Sequence, residues 1–585
     1  MSNAPVPLNE AEALAASAAT GEVSRGGGLA GEQVFQQRLA RVAVVIFLVA
    51  AGGLALASTG TPEDDAIAHF LMNRSAWDEP ALLLHPWGRP GHTVPYALAA
   101  WMPDITLALR FSNLLSVLFT AAAGLMTAAV ARRVGVRHWG WAAVLLLVMP
   151  LVIKTGTTVL TETVAAFYVA AGTLLLLNRR PMAAALVFGL LPLTRHESVV
   201  LLPALAVYFA WRRSWAAVLL LAVPEVGWNL AAKVWLWPDR WMLDRFLSPP
   251  SSDGLGRGHP LHYLGMWVQA ATPAGVALTA AGALPLTRKL YRTLRVGRAR
   301  VASEQAAGLA LCVGGGLGMV LLQTYLYAFN THASGGYARF LLPAMPWMAV
   351  CSAAALQPLA ILLRRRRSHG LTPTRLAAMR WRVRVLVALL VAVAVGGSLG
   401  LAISFDVRLM ISRYTTWELA AMAGMWLATL AAAVAGGFIW QNPGSRRALA
   451  SFVAAGGACL IVGAAWHATP VGLDTRARLV QQAVLAVQTA GVEPEQIDGS
   501  TPWVDYFLDR PISPHGTFPE NTWPTAAATG RVWLHDLRYA QGRLSREEAL
   551  QVPAEVVYTG PADDSEGAID AEAETTPYMV GLRRK

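Results

Sequence analysis

Long apolar runs recur along this chain, and short polar or basic segments separate them. The first run, roughly Val42 to Ser58, is about long enough to cross a bilayer at about 1.5 Å of helix per residue. The predicted membrane spans are 42–58, 104–131, 139–153, 157–177, 181–194, 196–211, 215–235, 264–287, 304–328, 340–363, 384–404, 417–440 and 448–466. The pattern therefore predicts an all-α polytopic membrane protein with about thirteen transmembrane helices.

Composition favours a membrane protein over a soluble one. Of 585 residues, 55% are hydrophobic and 14% are charged, and the mean hydropathy is +0.42. The net charge of +12 would be typical of nucleic-acid binding if it formed one surface. Most of the excess lies instead in short loops between apolar runs, so no nucleic-acid partner is expected. Cys312, Cys351 and Cys459 lie inside apolar runs and are expected to be core residues.

Arginines accumulate in alternate loops. They are Arg132, Arg133 and Arg137; Arg179 and Arg180; Arg212 and Arg213; Arg288 through Arg300; Arg364 to Arg367 with Arg380, Arg382 and Arg384; and Arg446 and Arg447. The positive-inside rule places these loops in the cytoplasm. With an odd number of spans, a multi-pass protein of the plasma (inner) membrane is expected, with its N-terminus cytoplasmic and its C-terminus extracytoplasmic.

An N-terminal tail that differs in composition precedes the membrane region. Residues 1–40 are rich in Ala, Gly, Ser and Glu and lack a sustained apolar period, so they are predicted to be a disordered cytosolic tail. Residues 41–470 are predicted to be the transmembrane domain, and its first outer loop, 59–103, is long.

Residues 471–585 have a mixed polar composition and predict a small extracytoplasmic α/β domain with an acidic, disordered tail. The segment Thr475 to Ala490 favours a helix. Two short runs between Gly and Pro turns, Arg531 to Leu534 and Glu555 to Tyr558, favour strands.

Three consecutive acids, Glu63, Asp64 and Asp65, stand where the first span ends. Carboxylates there are costly to keep ionised unless they meet water, a cation or a polar substrate. The same loop continues with His85, Arg89, His92 and Tyr96. In a functional interpretation the acids serve as a base or as metal ligands, and Arg89 binds an anion because its planar fork suits phosphate. The alternative is a solvated acidic loop and a Pro-rich hairpin lying on the membrane.

Further charges interrupt the apolar runs at Glu162, Arg195, Glu197 and Arg339, and Tyr337 precedes the last of these. Ionisable groups at membrane depth usually face a bundle interior or a cavity and pair with each other. A structural pair of Arg195 with Glu197 or with Glu162 is one alternative to a functional role. For Arg339, the alternative is an interfacial anchor whose charged end reaches the membrane surface.

Taken together, these segments resemble the GT-C superfamily of membrane glycosyltransferases, among them the lipid A aminoarabinose transferases and the protein O-mannosyltransferases. Asp64-Asp65 is similar to the acidic pair that opens the family's first outer loop. Gly88-Arg89-Pro90 is similar to the Lys-Pro-Pro-Leu segment of that loop, and Arg339-Phe340-Leu341-Leu342-Pro343 to the family's Arg-Tyr-Leu-Leu-Pro. Thr161-Glu162-Thr163 and Arg195-His196-Glu197 also recur in form. In two departures, Asp65 replaces the usual Glu and Gly91 replaces the second Pro.

The resemblance implies transfer of a sugar from a polyprenyl-phosphate donor to a lipid, glycan or protein acceptor on the extracytoplasmic side, by inverting single displacement, in cell-envelope glycan biosynthesis. Asp64 is the expected catalytic base, with Asp65 as its alternate. The residues expected to bind the donor phosphate are Arg89, Arg195 and Arg339. The expected substrate-binding residues are Glu63, His85, His92, Tyr96, Glu162, Glu197 and Tyr337. A divalent metal ion shared by Asp64 and Asp65 would relieve their repulsion, although the sequence does not require one.

A polytopic transporter or flippase of lipid-linked sugars is the alternative function. Such a protein would also contain many spans and intramembrane charges, and it would favour inverted repeats with ionisable groups near the midplane. Here the charges cluster toward one face, and no pair of inverted repeats stands out in the sequence.

The alternation of basic loops predicts which positions a membrane-impermeant reagent can reach. Cysteines introduced near residues 253 and 520 should be labelled in intact cells, because both segments are expected outside, whereas a cysteine in the basic run 364–367 should be labelled only after permeabilisation. Protection of both outer positions would overturn the predicted orientation.

Overall fold

The computed structural model describes residues 8–61, 64–85, 87–236, 238, 258–296, 300–329, 336–363, 373–404, 416–441, 446–473, 475–499, 501–510, 531–536, 554–559 and 579–584. Glu63, the first acid of the predicted trio, lies outside these residues, as do positions 253 and 520.

The described part of the chain is predominantly α-helical, which confirms the predicted all-α polytopic class. Its α-helices are α1 (Leu8–Ala57), α2 (Asp64–Ser75), α3 (Pro90–Tyr96), α4 (Ile105–Arg133), α5 (Gly140–Leu147), α6 (Pro150–Gly156), α7 (Thr161–Leu177), α8 (Pro181–Gly189), α9 (Leu201–Trp211), α10 (Trp215–Trp235), α11 (His262–Val296), α12 (Arg300–Ala310), α13 (Gly316–Ala328), α14 (Met345–Leu363), α15 (Pro373–Ser404), α16 (Thr416–Gln441), α17 (Arg446–Trp466), α18 (Thr475–Thr489) and α19 (Pro502–Phe507). Short 3₁₀ helices cover Pro80–Leu84, Ala97–Trp101, His196–Val200, Ala338–Ala344 and Pro494–Gln496, and a π-helical turn covers Leu311–Gly315.

Eight helices of the described residues are long and apolar enough to cross a membrane, or nine if α6 and α7, bent by 114°, form one broken span. The eight are Gly31–Ala57, Ile105–Arg133, Trp215–Trp235, His262–Arg295, Glu304–Ala328, Ala338–Gln357, Ala420–Ile439 and Arg447–Trp466. The count of about thirteen is therefore not confirmed. Some predicted spans are divided into short helices: Pro150, at the first position of α6, starts a new helix inside the predicted span 139–153, which is thus shared between α5 and α6. Hydropathy alone does not detect such breaks.

The membrane helices share one large apolar core, in which α4, α5, α7, α11 and α14 contribute most of the fully buried side chains. Cys312, Cys351 and Cys459 are buried and free, as expected of core residues. α11 is broken at Thr272, whose φ of 63° is not helical. The N-terminal region differs from the sequence prediction, because α1 begins at Leu8 rather than after a disordered tail of 40 residues. The Ala-rich composition of this segment favours a helix.

The C-terminal region contains a four-stranded sheet in the order β1-β2-β4-β3, with β1 (Ile497–Gly499), β2 (Val532–Asp536), β3 (Ala554–Thr559) and β4 (Met579–Arg584). β1 pairs with β2 in parallel, and the other two pairings are antiparallel. α18, β2 and β3 lie where the sequence predicts a helix and two strands. β4 lies at the end of the segment whose tail is predicted to be disordered, where a short apolar run follows the acidic stretch and pairs with β2 and β3. Residues 560–578 of that tail lie outside the described residues.

The first outer loop folds into short helices over the ends of the membrane helices. α2 starts at Asp64, and both Asp64 and Asp65 lie in its first turn, where carboxylates stabilise the positive end of the helix dipole. A second apolar core joins α2 and α4 to α18, α19 and β1. The helix that carries the acids is therefore packed between the membrane bundle and the C-terminal region.

Candidate active site

Six charged side chains from five separate segments converge beside α2. They are Asp65 from α2, Arg89 from the turn before α3, Glu162 from the first turn of α7, Arg195 and Glu197 from the break between α8 and α9, and Arg339 from the 3₁₀ helix before α14. These six residues are called the charge cluster below. Three are cations and three are carboxylates, so the formal charges of the cluster cancel.

Glu162 lies at the centre of the charge cluster. Its side chain is 1% exposed, and its Oε1 accepts a hydrogen bond from Arg195 Nη1 at 2.7 Å. The same oxygen lies 3.5 Å from Nε of Arg339, whose Nη2 forms an ion pair with Asp65. A single buried carboxylate thus joins two arginines that are otherwise distant in the sequence. Arg339 is 5% exposed, which does not fit the alternative of a surface-reaching anchor.

Arg195 is fixed on both sides. Its Nε donates to Glu197 Oε1 at 2.8 Å, and Gln323 Nε2 donates to the same carboxylate at 3.3 Å. The guanidinium carbon lies 4.2 Å from the centre of the Phe340 ring. Both structural pairs considered for Arg195 are therefore present together, and they hold this cation inside the protein.

Arg89 differs from the other two arginines in its partners. Its Nη1 donates to the hydroxyl of Thr161 at 2.8 Å and to the carbonyl oxygen of Thr194 at 3.2 Å, both neutral groups. Within the described residues it forms no ion pair shorter than 4.0 Å. Burial and the neighbouring Arg195 lower the pKa of Arg89 to about 10, so it remains charged at neutral pH.

The backbone is strained at Arg89 and closely packed at Gly91, two residues later. Its φ of 59° lies in the left-handed region, which costs a non-glycine residue on the order of 1–3 kcal/mol. Two residues later, the backbone N–H of Gly91 donates to the carbonyl oxygen of Leu193 at 3.0 Å. A Cβ atom at Gly91 would lie 2.8 Å from Cγ2 of Thr194. Gly91 therefore stands where a proline would lose a hydrogen bond and where a side chain would push the two loops apart.

The predicted substrate residues of the first loop lie behind the charge cluster. His92 and Tyr96 are both 0% exposed and stack with ring centres 4.4 Å apart, and the Tyr96 hydroxyl is 2.7 Å from that of Ser116. Burial, with Arg89 nearby, lowers the pKa of His92 to about 3. His85 is buried, and its Nδ1 accepts a hydrogen bond from the backbone of Trp87 at 3.2 Å. These rings support the turn at Arg89 from the interior.

Tyr337 lies at the outer edge of the charge cluster, 46% exposed, with the guanidinium carbon of Arg339 4.6 Å from the centre of its ring. Asp64, the other acid in the first turn of α2, accepts a hydrogen bond through Oδ1 at 3.0 Å from the indole N–H of Trp503, in α19. Trp503 and Gln323 were not singled out from the sequence, and Thr161 was named only as part of the Thr161-Glu162-Thr163 segment. Only their contacts in three dimensions distinguish them from other aromatic and polar residues.

The described residues contain no group of three or more His, Cys, Asp or Glu side chains that could hold a metal ion. The negative charge of Asp65 is met by Arg339, and Asp64 is directed toward Trp503. Glu63, the third acid of the trio, lies outside the described residues, and the divalent ion considered for the two aspartates stays a prediction.

No protein-family model and no curated protein sequence matches this chain. Among solved structures, ArnT from Cupriavidus metallidurans bound to undecaprenyl phosphate matches with a TM-score of 0.53 and 12% identity, covering 93% of this chain and 97% of that one. The same protein in the apo state matches with a TM-score of 0.52 and 14% identity, with the same coverage. An oligosaccharyltransferase from Archaeoglobus fulgidus in the apo form matches with a TM-score of 0.49 and 13% identity, covering 85% of this chain and 69% of that one. The chain thus has the fold of GT-C membrane glycosyltransferases, as the sequence motifs predict.

The close contact at Gly91 predicts the effect of one added methyl group. Gly91→Ala should lower the thermal stability of the detergent-solubilised protein by an amount equivalent to about 1–3 kcal/mol, because its Cβ meets Thr194 and Leu190. Gly53→Ala is the matched control, since a Cβ there meets nothing within 4 Å and the position is helical. Equal melting temperatures for the two variants would contradict the close packing of these loops.

Proposed function

We propose that this protein transfers a sugar from a polyprenyl-phosphate carrier to a hydroxyl group of a lipid, glycan or protein acceptor at the extracytoplasmic face of the plasma (inner) membrane. The observation that supports this most is Arg89, a charged arginine whose hydrogen-bond partners within the described residues are neutral, whereas the other two arginines of the charge cluster are paired with carboxylates. A buried cation without a directly paired carboxylate is stabilised when it binds an anion. The shared fold adds to this argument, because an ArnT structure contains undecaprenyl phosphate.

Arg89 is the proposed first ligand of the donor phosphate, and Arg339 the second. Arg339 can exchange its ion pair with Asp65 for one with the phosphate, while Glu162 continues to balance its charge. Arg195 is enclosed by Glu162, Glu197 and Phe340 and is better suited to hold the cluster together than to bind substrate. Its charge still contributes to the field that the phosphate meets.

Asp65 is the proposed catalytic base, in preference to Asp64. The base must lie within hydrogen-bond reach of the acceptor hydroxyl while the phosphate is bound to the arginines, and Asp65 contacts one of those arginines directly. It is 34% exposed, whereas Glu162 and Glu197 are buried. Oδ1 of Asp64 already accepts the hydrogen bond from Trp503. The order of the two acids is thus the reverse of the one expected from the sequence.

The proposed reaction is a single displacement with inversion. The acceptor oxygen attacks the anomeric carbon, its proton passes to Asp65, and the bond from that carbon to the phosphate oxygen breaks. The bonding electron pair leaves with the polyprenyl phosphate, whose developing negative charge is stabilised by Arg89 and Arg339. The arrangement of residues supports this reaction without a step through a metal ion.

A groove of about 440 Å³ between α9, α12 and α13 offers a place for the isoprenoid chain. Its lining is almost entirely apolar and begins at Val200, three residues after Glu197, and at Leu322, next to Gln323. Gly314 and Gly318 form part of its surface, and a Cβ at either would meet nothing within 4 Å. A ligand that places an anionic head at the charge cluster and an apolar chain in this groove has the chemistry of a polyprenyl phosphate.

Arg89→Gly tests the phosphate ligand without straining the fold. It removes the cation and relaxes the positive φ, so affinity for polyprenyl phosphate should fall on the order of 10- to 100-fold while thermal stability is kept or rises. Arg213→Gly is the matched control, because that arginine is also at positive φ, at 55°, but exposed and remote from the charge cluster. Equal affinities for the two variants, measured by calorimetry in detergent, would show that Arg89 does not bind the carrier.

Exchange of each aspartate for asparagine separates the two candidate bases. Asp65→Asn should lower the rate of sugar transfer by about 10²–10⁴-fold and still bind polyprenyl phosphate, because only the proton acceptor is lost. Asp64→Asn keeps an oxygen that accepts the Trp503 hydrogen bond, so it should lose less than about tenfold. The reverse order of rates would return the role of base to Asp64. Normal rates for both would exclude this turn as the catalytic one.

The same assay distinguishes a transferase from a flippase. A transferase releases polyprenyl phosphate and forms a new glycosyl bond, whereas a flippase moves the intact lipid-linked sugar across the bilayer. Detection of intact donor on the opposite leaflet of vesicles, without any product, would replace the proposed activity by transport.

A further inference from the structure

α19 packs on α2, the helix that begins with the two aspartates. Trp503 of α19 is 1% exposed, and its indole N–H donates to Asp64 Oδ1 at 3.0 Å. Midway along α2, the rings of Phe70 and Tyr506 meet edge to face with centres 6.1 Å apart. At the far end of α2, Arg74 forms an ion pair with Asp509. Residues of α19 and the turn after it therefore contact α2 along its length.

α19 is itself fixed to the C-terminal sheet. Arg510 donates from Nε to Asp505 Oδ1 of α19 at 2.5 Å, and from Nη2 to Asp498 Oδ1 of β1 at 3.0 Å. The Thr501 side chain caps the helix by accepting from the backbone N–H of Trp503. The position of the indole is consequently set by the sheet and not by α19 alone, since an isolated six-residue helix is unstable.

The connection from α1 to α2 is tied to the same C-terminal region. The backbone N–H groups of Thr59 and Gly60 donate to the carbonyl oxygen of Val471 at 2.9 Å and 3.0 Å. In return, the N–H of Val471 donates to the hydroxyl of Ser58 at 2.9 Å. Both the approach to the acids and the helix after them thus depend on residues beyond position 470.

We propose that Trp503 is a positioning residue for the transfer reaction: its N–H fixes the Asp64 carboxylate, and with it the rotation of the first turn of α2 that directs Asp65 toward Arg339. Adjacent residues of an α-helix point about 100° apart, so holding one side chain fixes the direction of the next. Apolar packing at Phe70 resists separation of the helices, but a hydrogen bond is what selects one rotation. This inference rests on the proposed function and adds the C-terminal region to the active site.

Trp503→Phe tests the inference, because phenylalanine keeps an aromatic ring and removes the N–H. The kcat for sugar transfer should fall on the order of 10- to 100-fold, as expected of a small misplacement, while the KM for the donor changes less than about twofold. Trp77→Phe is the matched control: its indole N–H donates to the Ala97 carbonyl oxygen at 2.7 Å, in the same outer loop but remote from the acids. Equal kcat values for the two variants would overturn the proposal.

A double substitution distinguishes positioning from general stability. If Trp503 acts through Asp64, then Asp64→Ala lowers kcat as Trp503→Phe does, and the combination of both lowers it no further. Multiplied losses would instead show that Trp503 acts independently of Asp64 and would also overturn the proposal.

Amide hydrogen exchange separates failure of this inference from failure of the proposed function. In Trp503→Phe, the amides of the first turns of α2 should exchange faster than in the wild-type protein and in Trp77→Phe, whatever reaction the protein catalyses. Absence of sugar transfer by the wild-type protein would refute the proposed function, whereas unchanged exchange in an active Trp503→Phe protein would refute the positioning role alone.

Discussion

The buried carboxylate of Glu162 is the interaction on which the site depends. Arg195 and Arg339 enter an apolar bundle from segments 144 residues apart, and neither could be held there without a counter-charge. Glu162 Oε1 lies within 4 Å of both. Loss of this carboxylate would leave two buried cations short of a partner, and breaking such pairs typically costs about 3–5 kcal/mol. Its first role is thus to hold α7, α14 and the break before α9 in one arrangement.

Charge balance also explains why the three arginines are not equivalent. Two are satisfied by carboxylates that the protein supplies, so their charges stabilise the fold before any ligand arrives. Within the described residues, Arg89 donates hydrogen bonds only to a hydroxyl and a carbonyl oxygen and lies over the ring of Trp87, and its backbone has a positive φ next to the closely packed Gly91. A strained residue with unmet charge is unfavourable for stability alone and is often found where a ligand binds.

The sequence predicted the helical membrane class and named all six residues of the charge cluster as candidates, because apolar runs and the charges that interrupt them are read directly from the order of residues. It could not predict the number of spans, since a break such as the one before Pro150 divides apolar sequence without changing its hydropathy. The sequence also could not predict that His92 and Tyr96 are buried, because a polar ring in a loop has the same sequence pattern whether it faces the substrate or the core. Trp503 lies 439 positions from Asp64, and only folding brings the two together.

The placement of Asp65 couples donor binding to base catalysis in the proposed reaction. In the described arrangement Oδ2 of its carboxylate is paired with Arg339. A phosphate that binds Arg339 competes for the same guanidinium and releases Asp65 only when the donor is in place. An acceptor, or water, that arrives first would therefore meet a base whose charge is already compensated. The two adjacent aspartates differ in role for this reason. Asp64 accepts a hydrogen bond from the indole of Trp503, whereas Asp65 is paired with Arg339, a cation that the donor phosphate can also bind.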